Sequence, residues 1–429
     1  MTLHTISYTP INIGRWILWS GFALLLGLAP MIFSSGGSLS LLSLMGTMMI
    51  FALSYNMLLG QSGMLSFGHA VYSGLGAFFA IHAINLSSSE AFFIPVSLIP
   101  LVGGLAGLTF GVLFGYVTTK RSGTTFSMIS LGIVELVFAC SLMFPGFFGG
   151  EGGISGNRVF GKAFLGITFG PQLQVYYLIA AWLFVSTVAM FAISHTPLGR
   201  IANAVRDNPE RAEFIGYDTQ RVRYLMLILS GFFAGISGGL AAINFEIVSA
   251  ENVSAARSGA VLLYTFIGGI GFFFGPLLGS IIGVLLTVML SEITKAWLLY
   301  LGLFFIVMVM YAPGGLASLI MMNIRLMRHR LFAPLIPALV KITFASLILF
   351  ASLVVLIEMT YHWSLESAQG SLIKLFGSQI DTAQPFAWIF AGAAFIFGIV
   401  LFMHSRPGFV DAWDEANAEV ERHIARGVV

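Results

Sequence analysis

Long apolar runs separated by short polar connectors dominate the chain, and their lengths set the first expectation. Runs near 16–33, 39–59, 69–86, 91–117, 124–145, 174–194, 223–245, 259–274, 276–294, 296–320, 337–358 and 385–403 stand out. As helices, each is about long enough to cross a hydrocarbon core of ~30 Å. The pattern therefore predicts an all-α polytopic membrane protein with about 12 transmembrane helices. The first run lacks a small-x-small cleavage pattern and reads as a retained span.

Glycine breaks this pattern twice. Gly60–Gly76 holds five glycines among polar side chains, and Gly268–Gly283 repeats the theme, with Pro276 opening the next helix. Non-helical backbone at membrane depth is tolerated only where protein or a water-filled cavity covers it. Broken helices at matching places in two halves point to a transport pathway built on an internal repeat. Close helix packing through small residues explains the same glycines equally well. A third glycine-rich stretch, Phe147–Asn157, reads as an external, flexible loop.

The segment Leu198–Arg223 interrupts the apolar text differently, with nine charged side chains, five of them Arg. Pro197 and Pro209 mark two helix starts, so the segment reads as two short helices, either a solvated connector or a docking surface for a soluble partner. In the tail, Phe409, Trp413, Ala416, Val420 and Ile424 recur at helical spacing and predict a short amphipathic helix that lies on the membrane, on the protein itself or on a partner. The expected organisation is a transmembrane domain over 1–322 with its charged loop at 197–223, a two-span extension over 323–403, and a cytoplasmic tail over 404–429.

Composition narrows the class. With 58% hydrophobic and 9% charged residues the chain cannot dress a soluble globule, and a net charge of +2 makes no case for nucleic acid. The single cysteine, Cys140, excludes a disulfide framework and a cysteine-based metal site. With the N-terminus inside, only Arg158, Lys162, Arg257, Lys295 and Lys374 of the 20 basic residues fall outside. This bias places the 197–223 loop and both termini in the cytoplasm.

Enzymatic motifs are missing. Gly161-Lys162 is followed by Ala163, so it is no phosphate-binding loop. Gly235–Gly239 matches a nucleophile pattern but lies inside a span, where small-residue packing explains it. If ATP drives this protein, another chain hydrolyses it. Glu135 is a carboxylate in a span interior, where an ionised group costs on the order of 2.5–3.5 kcal/mol, so it is expected to face the bundle or water and to brace a helix or bind solute. His69 is either a packing residue or a ligand. Asn56, Gln61 and Ser66 are neutral hydrogen-bonding groups suited to line a pathway for a zwitterionic or amide-like solute, at lower desolvation cost than charges.

Several of these stretches carry a resemblance. Tyr55–Ala70, Gly74–Ala77, Thr125–Gly132, the glycines 149, 150 and 153, Pro197–Asn208 with Ala212 and Gly216, Gly268–Gly271 and Gly275-Pro276 occur in one order between Ser54 and Gly315. In that order the chain resembles the LivM-like permease subunits of branched-chain amino acid ABC transporters, a family that includes urea and short-amide importers. The resemblance implies that Gly199, Arg200, Arg206, Asp207, Asn208, Ala212 and Gly216 belong to a coupling element seated on an ATPase. It also implies a second, LivH-like permease subunit, two ABC ATPase subunits that bind ATP and Mg, and a periplasmic solute-binding protein meeting the external glycine loop. No cofactor is implied in this chain, and the location is the bacterial inner membrane. Arg221 and Arg223 stand where relatives commonly carry Lys, and the last two spans and the acidic tail extend past the usual end. Two alternatives stay open from the residues themselves, a proton-coupled secondary transporter using Glu135 and a membrane scaffold without a pathway.

Overall fold

The computed structural model describes residues 13–89, 94–160, 168–328, 333–366, 370–375 and 377–425, so Gly161-Lys162-Ala163, Arg330 and Arg426 lie outside the described residues. The described chain is mostly helical, in the order α1 (Ile13–Ile32), α2 (Gly36–Asn56), α3 (Ala70–Ser88), α4 (Ile99–Thr118), α5 (Thr124–Met143), α6 (Pro145–Phe148), α7 (Gln172–His195) and α8 (Pro197–Asp207). There follow α9 (Pro209–Phe214), α10 (Thr219–Phe245), α11 (Ala255–Gly268), α12 (Gly275–Ile293), α13 (Trp297–Tyr311), α14 (Gly315–Arg328), α15 (Ile336–Tyr361) and α16 (Pro385–Ala425). Strand β1 (Ile154–Ser155) pairs antiparallel with β2 (Ile247–Val248), and β3 (Leu372–Leu375) with β4 (Ser378–Asp381).

Nine of the described helices are long and apolar enough to cross a membrane, or ten if α13 and α14, bent by 50° at their junction, make one span. Two of the expected spans account for the difference from about 12. The apolar part of α1 shrinks to Trp16–Ile32. The span expected at 259–274 is α11, whose 14 residues rise only ~21 Å, short of a ~30 Å core.

The chain divides into two compact units, one formed by Met1–Leu286 with Met308–Leu316, the other by Thr287–Val307 with Ala317–Val429. In the first unit α10 lies against α2, α3 and α4, and glycine sets the distance. A Cβ at Gly107 would collide with the Gly231 carbonyl, one at Gly235 with the Gly103 carbonyl, and one at Gly238 with the Ser73 carbonyl. Lipid supplies no hydrophobic drive between helices, so such backbone contact, with interhelical hydrogen bonds, holds them together. Ser230 Oγ donates to the Ser54 carbonyl at 2.6 Å and Ser237 Oγ to the Thr47 carbonyl at 2.8 Å.

The glycine loop expected to be free is tied down. β1 pairs with β2, Gly153 (φ +69°) leaves no room for a Cβ beside the Val248 carbonyl, and Phe148 meets Phe78 edge-on with centroids 4.8 Å apart. Arg158 is buried there, its guanidinium donating to the carbonyls of Phe169, Gly170, Ile243 and Asn244, with Glu246 3.9 Å away.

In the second unit α15 packs on α16, where Gly398 admits the Leu349 backbone, and Tyr300 donates to Glu358 at 2.8 Å. The tail is not a separate helix. α16 continues through Pro407 for 41 residues, and its Val420 packs with Leu326 and Leu335 beside Trp413 and Ala416. Packing on its own protein was one of three expected locations, and the heptad-like stripe supplies the contact.

Candidate functional site

The first glycine break begins where α2 loosens. Its last turn continues as a π-helical turn, Met57–Gln61, the backbone then runs without helix to residue 69, and α3 starts at Ala70. Each exposed backbone group in this stretch needs a partner at membrane depth, and serines from two other helices provide them. Ser130 Oγ of α5 accepts the Phe67 N–H at 3.0 Å, and Ser258 Oγ of α11 accepts the Ala70 N–H at 2.9 Å. The Ser127 hydroxyl donates to the Leu65 carbonyl at 2.7 Å, and the Tyr55 hydroxyl to the Ser66 carbonyl at 2.9 Å. Gly68 lies so near the Ser130 carbonyl that no Cβ would fit.

His69 closes this arrangement from inside. Its ring is fully buried, stacked on Phe51 at 5.5 Å and met edge-on by Tyr55 and Tyr72. Its Nε2 lies 3.1 Å from Ser54 Oγ, while Nδ1 has no hydrogen-bond partner. Ser66 is also buried, its hydroxyl accepting the Gly68 N–H at 3.3 Å.

Asn56 and Gln61 are buried at the π-helical turn, and each carries a side-chain oxygen without a hydrogen bond. A Cβ at Gly60 would collide with Asn56 Oδ1 and come within 2.7 Å of the Ile270 carbonyl, so the first glycine break touches the second. The second break is itself a backbone contact, with Gly269 (φ +106°) set against Gly314 and Gly315. Glu135 is not brought to this place. It lies on the exposed face of α5, because the buried stripe of that helix is Phe126, Ser127, Ser130, Val134, Val137 and Ser141. The serines that serve the break fix the helix rotation and leave the carboxylate off that stripe.

The charged loop forms the two short helices expected of it. Thr196 caps α8, accepting the Gly199 N–H at 3.4 Å, and Asn208 caps α9, accepting the Arg211 N–H at 2.9 Å. Side-chain oxygens at such positions satisfy the free amides of a first turn. Gly216 (φ +93°) follows α9, and Asp218 caps α10, accepting the Arg221 N–H at 3.0 Å. The inner face of α8 is Gly199, Ala202 and Val205, and Ala212 is buried from α9. At Gly199 a Cβ would stand 2.6 Å from the carbonyls of Ile193 and Ser194. Gly199, Asn208, Ala212 and Gly216 thus shape the loop, while Arg200 and Asp207 stay on its exposed side.

Arg206 reaches inward as well as outward. It pairs with Asp207 at 2.9 Å, and it donates a hydrogen bond to the carbonyl of Gly60. Gly63 (φ +69°) lies under its stem, where a Cβ would come within 2.8 Å of the Arg206 side chain. The outer surface of the loop carries three apolar side chains that the charge pattern hides, Phe214 at 89% exposure, Ile215 at 67% and Tyr217 at 42%. A Phe-Ile pair just before a glycine, in an otherwise charged stretch, was the available signal.

A family model described as branched-chain amino acid transport system / permease component matches residues 37–312. The chain is 26% identical over 304 residues to the high-affinity branched-chain amino acid transport system permease protein LivM of Escherichia coli (strain K12), covering 66% of this chain and 70% of that protein. It is 24% identical over 159 residues to the guanosine ABC transporter permease protein NupQ of Bacillus subtilis (strain 168), covering 33% and 48%. It is 24% identical over 211 residues to the fructose import permease protein FrcC of Rhizobium meliloti, covering 43% and 53%. No solved structure matches the chain.

Proposed function

The chain belongs to the family of branched-chain amino acid transport permease components, and from that premise we propose that it is one half of the membrane pathway of an ATP-driven importer for branched-chain amino acids. It is a multi-pass membrane protein and a non-catalytic permease component of an ABC-type transporter, a family that works with ATPase and binding-protein partners. The finer reading places α8 and α9 on the cytoplasmic side with both termini, seats them on an ATPase subunit, and pairs this chain with a second, LivH-like permease subunit. ATP and Mg belong to the partner ATPases.

One observation carries the coupling part of this reading. Arg206 of α8 bonds to Gly60 in the π-helical turn that holds Asn56 and Gln61. A displacement of α8 by a bound ATPase would therefore act on the broken helix through one side chain, as a contiguous mechanical link. The exposed Phe214 and Ile215 supply an apolar patch with charged neighbours, the composition of a specific protein interface.

Phe214 and Ile215 make a cleaner test than Arg206, whose replacement would also disturb Gly60. Purified in detergent with its ATPase subunits, the native chain is expected to retain them, and a Phe214→Glu, Ile215→Glu variant to lose at least nine tenths while keeping its own melting temperature. Equal retention by both proteins would remove the loop from the ATPase interface.

A further inference from the structure

Two arginines penetrate the first unit, and the fold treats them in opposite ways. Arg158 is surrounded by four carbonyls and a carboxylate. Arg257, in the first turn of α11, has no such shell. Its own N–H is capped by Ser254 at 3.3 Å, and its guanidinium lies over the ring of Phe51, 5.9 Å from the centroid. Its Nε is sealed from solvent without a hydrogen bond, and no carboxylate among the described residues pairs with it.

A guanidinium stays protonated in a protein, so the cost of sealing its Nε cannot be relieved by giving up the charge. Ionisable groups inside membrane bundles face partners or a pathway. Lipid is an unsuitable source of that partner here, because Phe51, His69 and Ser258 around the site are all fully buried. Most of the neighbourhood favours a negative group, the exposed Glu251 on the turn before α11 apart. α3 and α11 both begin here, joined by the Ala70 to Ser258 hydrogen bond, and helix N-termini carry partial positive charge. The helices α2, α3 and α11 contain no Asp or Glu, and His69 Nδ1 beside Phe51 is without a partner.

We propose that Arg257 is the residue of the transport pathway that holds the carboxylate of the passing solute. This rests on the importer reading and names the side chain that recognises the carboxylate its amino-acid solutes carry. Fructose and guanosine, named for two relatives, have none and would leave the guanidinium unpaired. Arginine suits this role because its planar fork matches a carboxylate with two parallel hydrogen bonds.

The test is uptake by proteoliposomes holding the whole transporter with its ATPase and binding-protein subunits, using leucine, urea, fructose and guanosine as probes. Arg257→Lys keeps the charge, and Arg257→Met keeps the stem that packs on Phe51. The expected result is ATP-dependent leucine uptake by the native assembly, more than half of it retained by the Lys variant, and at least a tenfold loss in the Met variant, with all three retaining their ATPase subunits. Equal uptake by the Met and Lys variants would make Arg257 a packing residue and overturn the proposal. ATP-dependent uptake of urea, fructose or guanosine without leucine would overturn the carboxylate assignment together with the branched-chain substrate, and leave an ATP-driven importer standing. A native chain that retains no ATPase would instead bring down the importer reading, and this inference with it.

Discussion

In α10, 83% of the apolar window is buried within the protein, whereas in α15 and α16 the figure is 11% each. The order is the reverse of their apolar character, since α15 and α16 are the more hydrophobic helices. Burial inside a membrane therefore does not follow hydrophobicity, because lipid receives an apolar side chain as readily as protein does. What differs is small residues. α10 sets Gly231, Gly235, Gly238 and Gly239 against the backbones of α3 and α4, while Leu347, Phe350, Phe386 and Phe390 of α15 and α16 point outward.

The sharpest way to break this comparison is to add one methyl group on each side. Gly238→Ala drives a Cβ into the Ser73 carbonyl, and Gly392→Ala meets nothing within 4 Å. Overpacking a tight contact costs about 1–3 kcal/mol and sometimes more. The Gly238 variant is expected to melt well below the native protein in detergent, or to accumulate poorly, and the Gly392 variant to match it. Equal melting of the two would mean that backbone contact does not hold α10.

A smaller effect comes from the serines that serve the broken helix. Ser258→Ala strands the Ala70 N–H, buried among α2, α3 and α11, and an unsatisfied buried donor costs about 1–3 kcal/mol. Faster hydrogen exchange is expected at the start of α3, with α15 and α16 unchanged. Exchange that stays at the native rate would show that another acceptor takes over. The mildest change is Val420→Ala in the tail, which removes packing against Leu326 and Leu335, worth about 1 kcal/mol. Limited proteolysis should cut the α16 tail faster in this variant while leaving α10 resistant.

Much of the architecture could be read from the letters because it depends on neighbours in sequence. Most apolar runs give spans, Pro197 and Pro209 open α8 and α9, and the Gly60–Gly76 break falls on the stretch left non-helical before Ala70, although Ala70–Gly76 itself is helix α3. Less of the site could be read. Glu135 was expected to face the bundle or water, and its place in a span could not choose between them because span position carries depth but no direction. Ser127 and Ser130 turn α5 toward the 60–68 break and leave Glu135 on the exposed side. Arg206 stood out as a loop charge, yet its bond to Gly60 joins residues 146 positions apart. Phe214 and Ile215 were passed over because two apolar residues are unremarked in a chain that is 58% hydrophobic.

By itself the sequence determined a helical membrane protein, many of the places where its helices start, and the presence of a charged double-helix loop, since hydropathy, capping and glycine act within a few residues. Tertiary structure alone decided that Arg158 is ringed by acceptors while Arg257 Nε has none, and which way Glu135 and Arg206 turn. Those outcomes depend on which carbonyls, serines and rings arrive from distant helices. Charge type and position along a span do not encode that arrival.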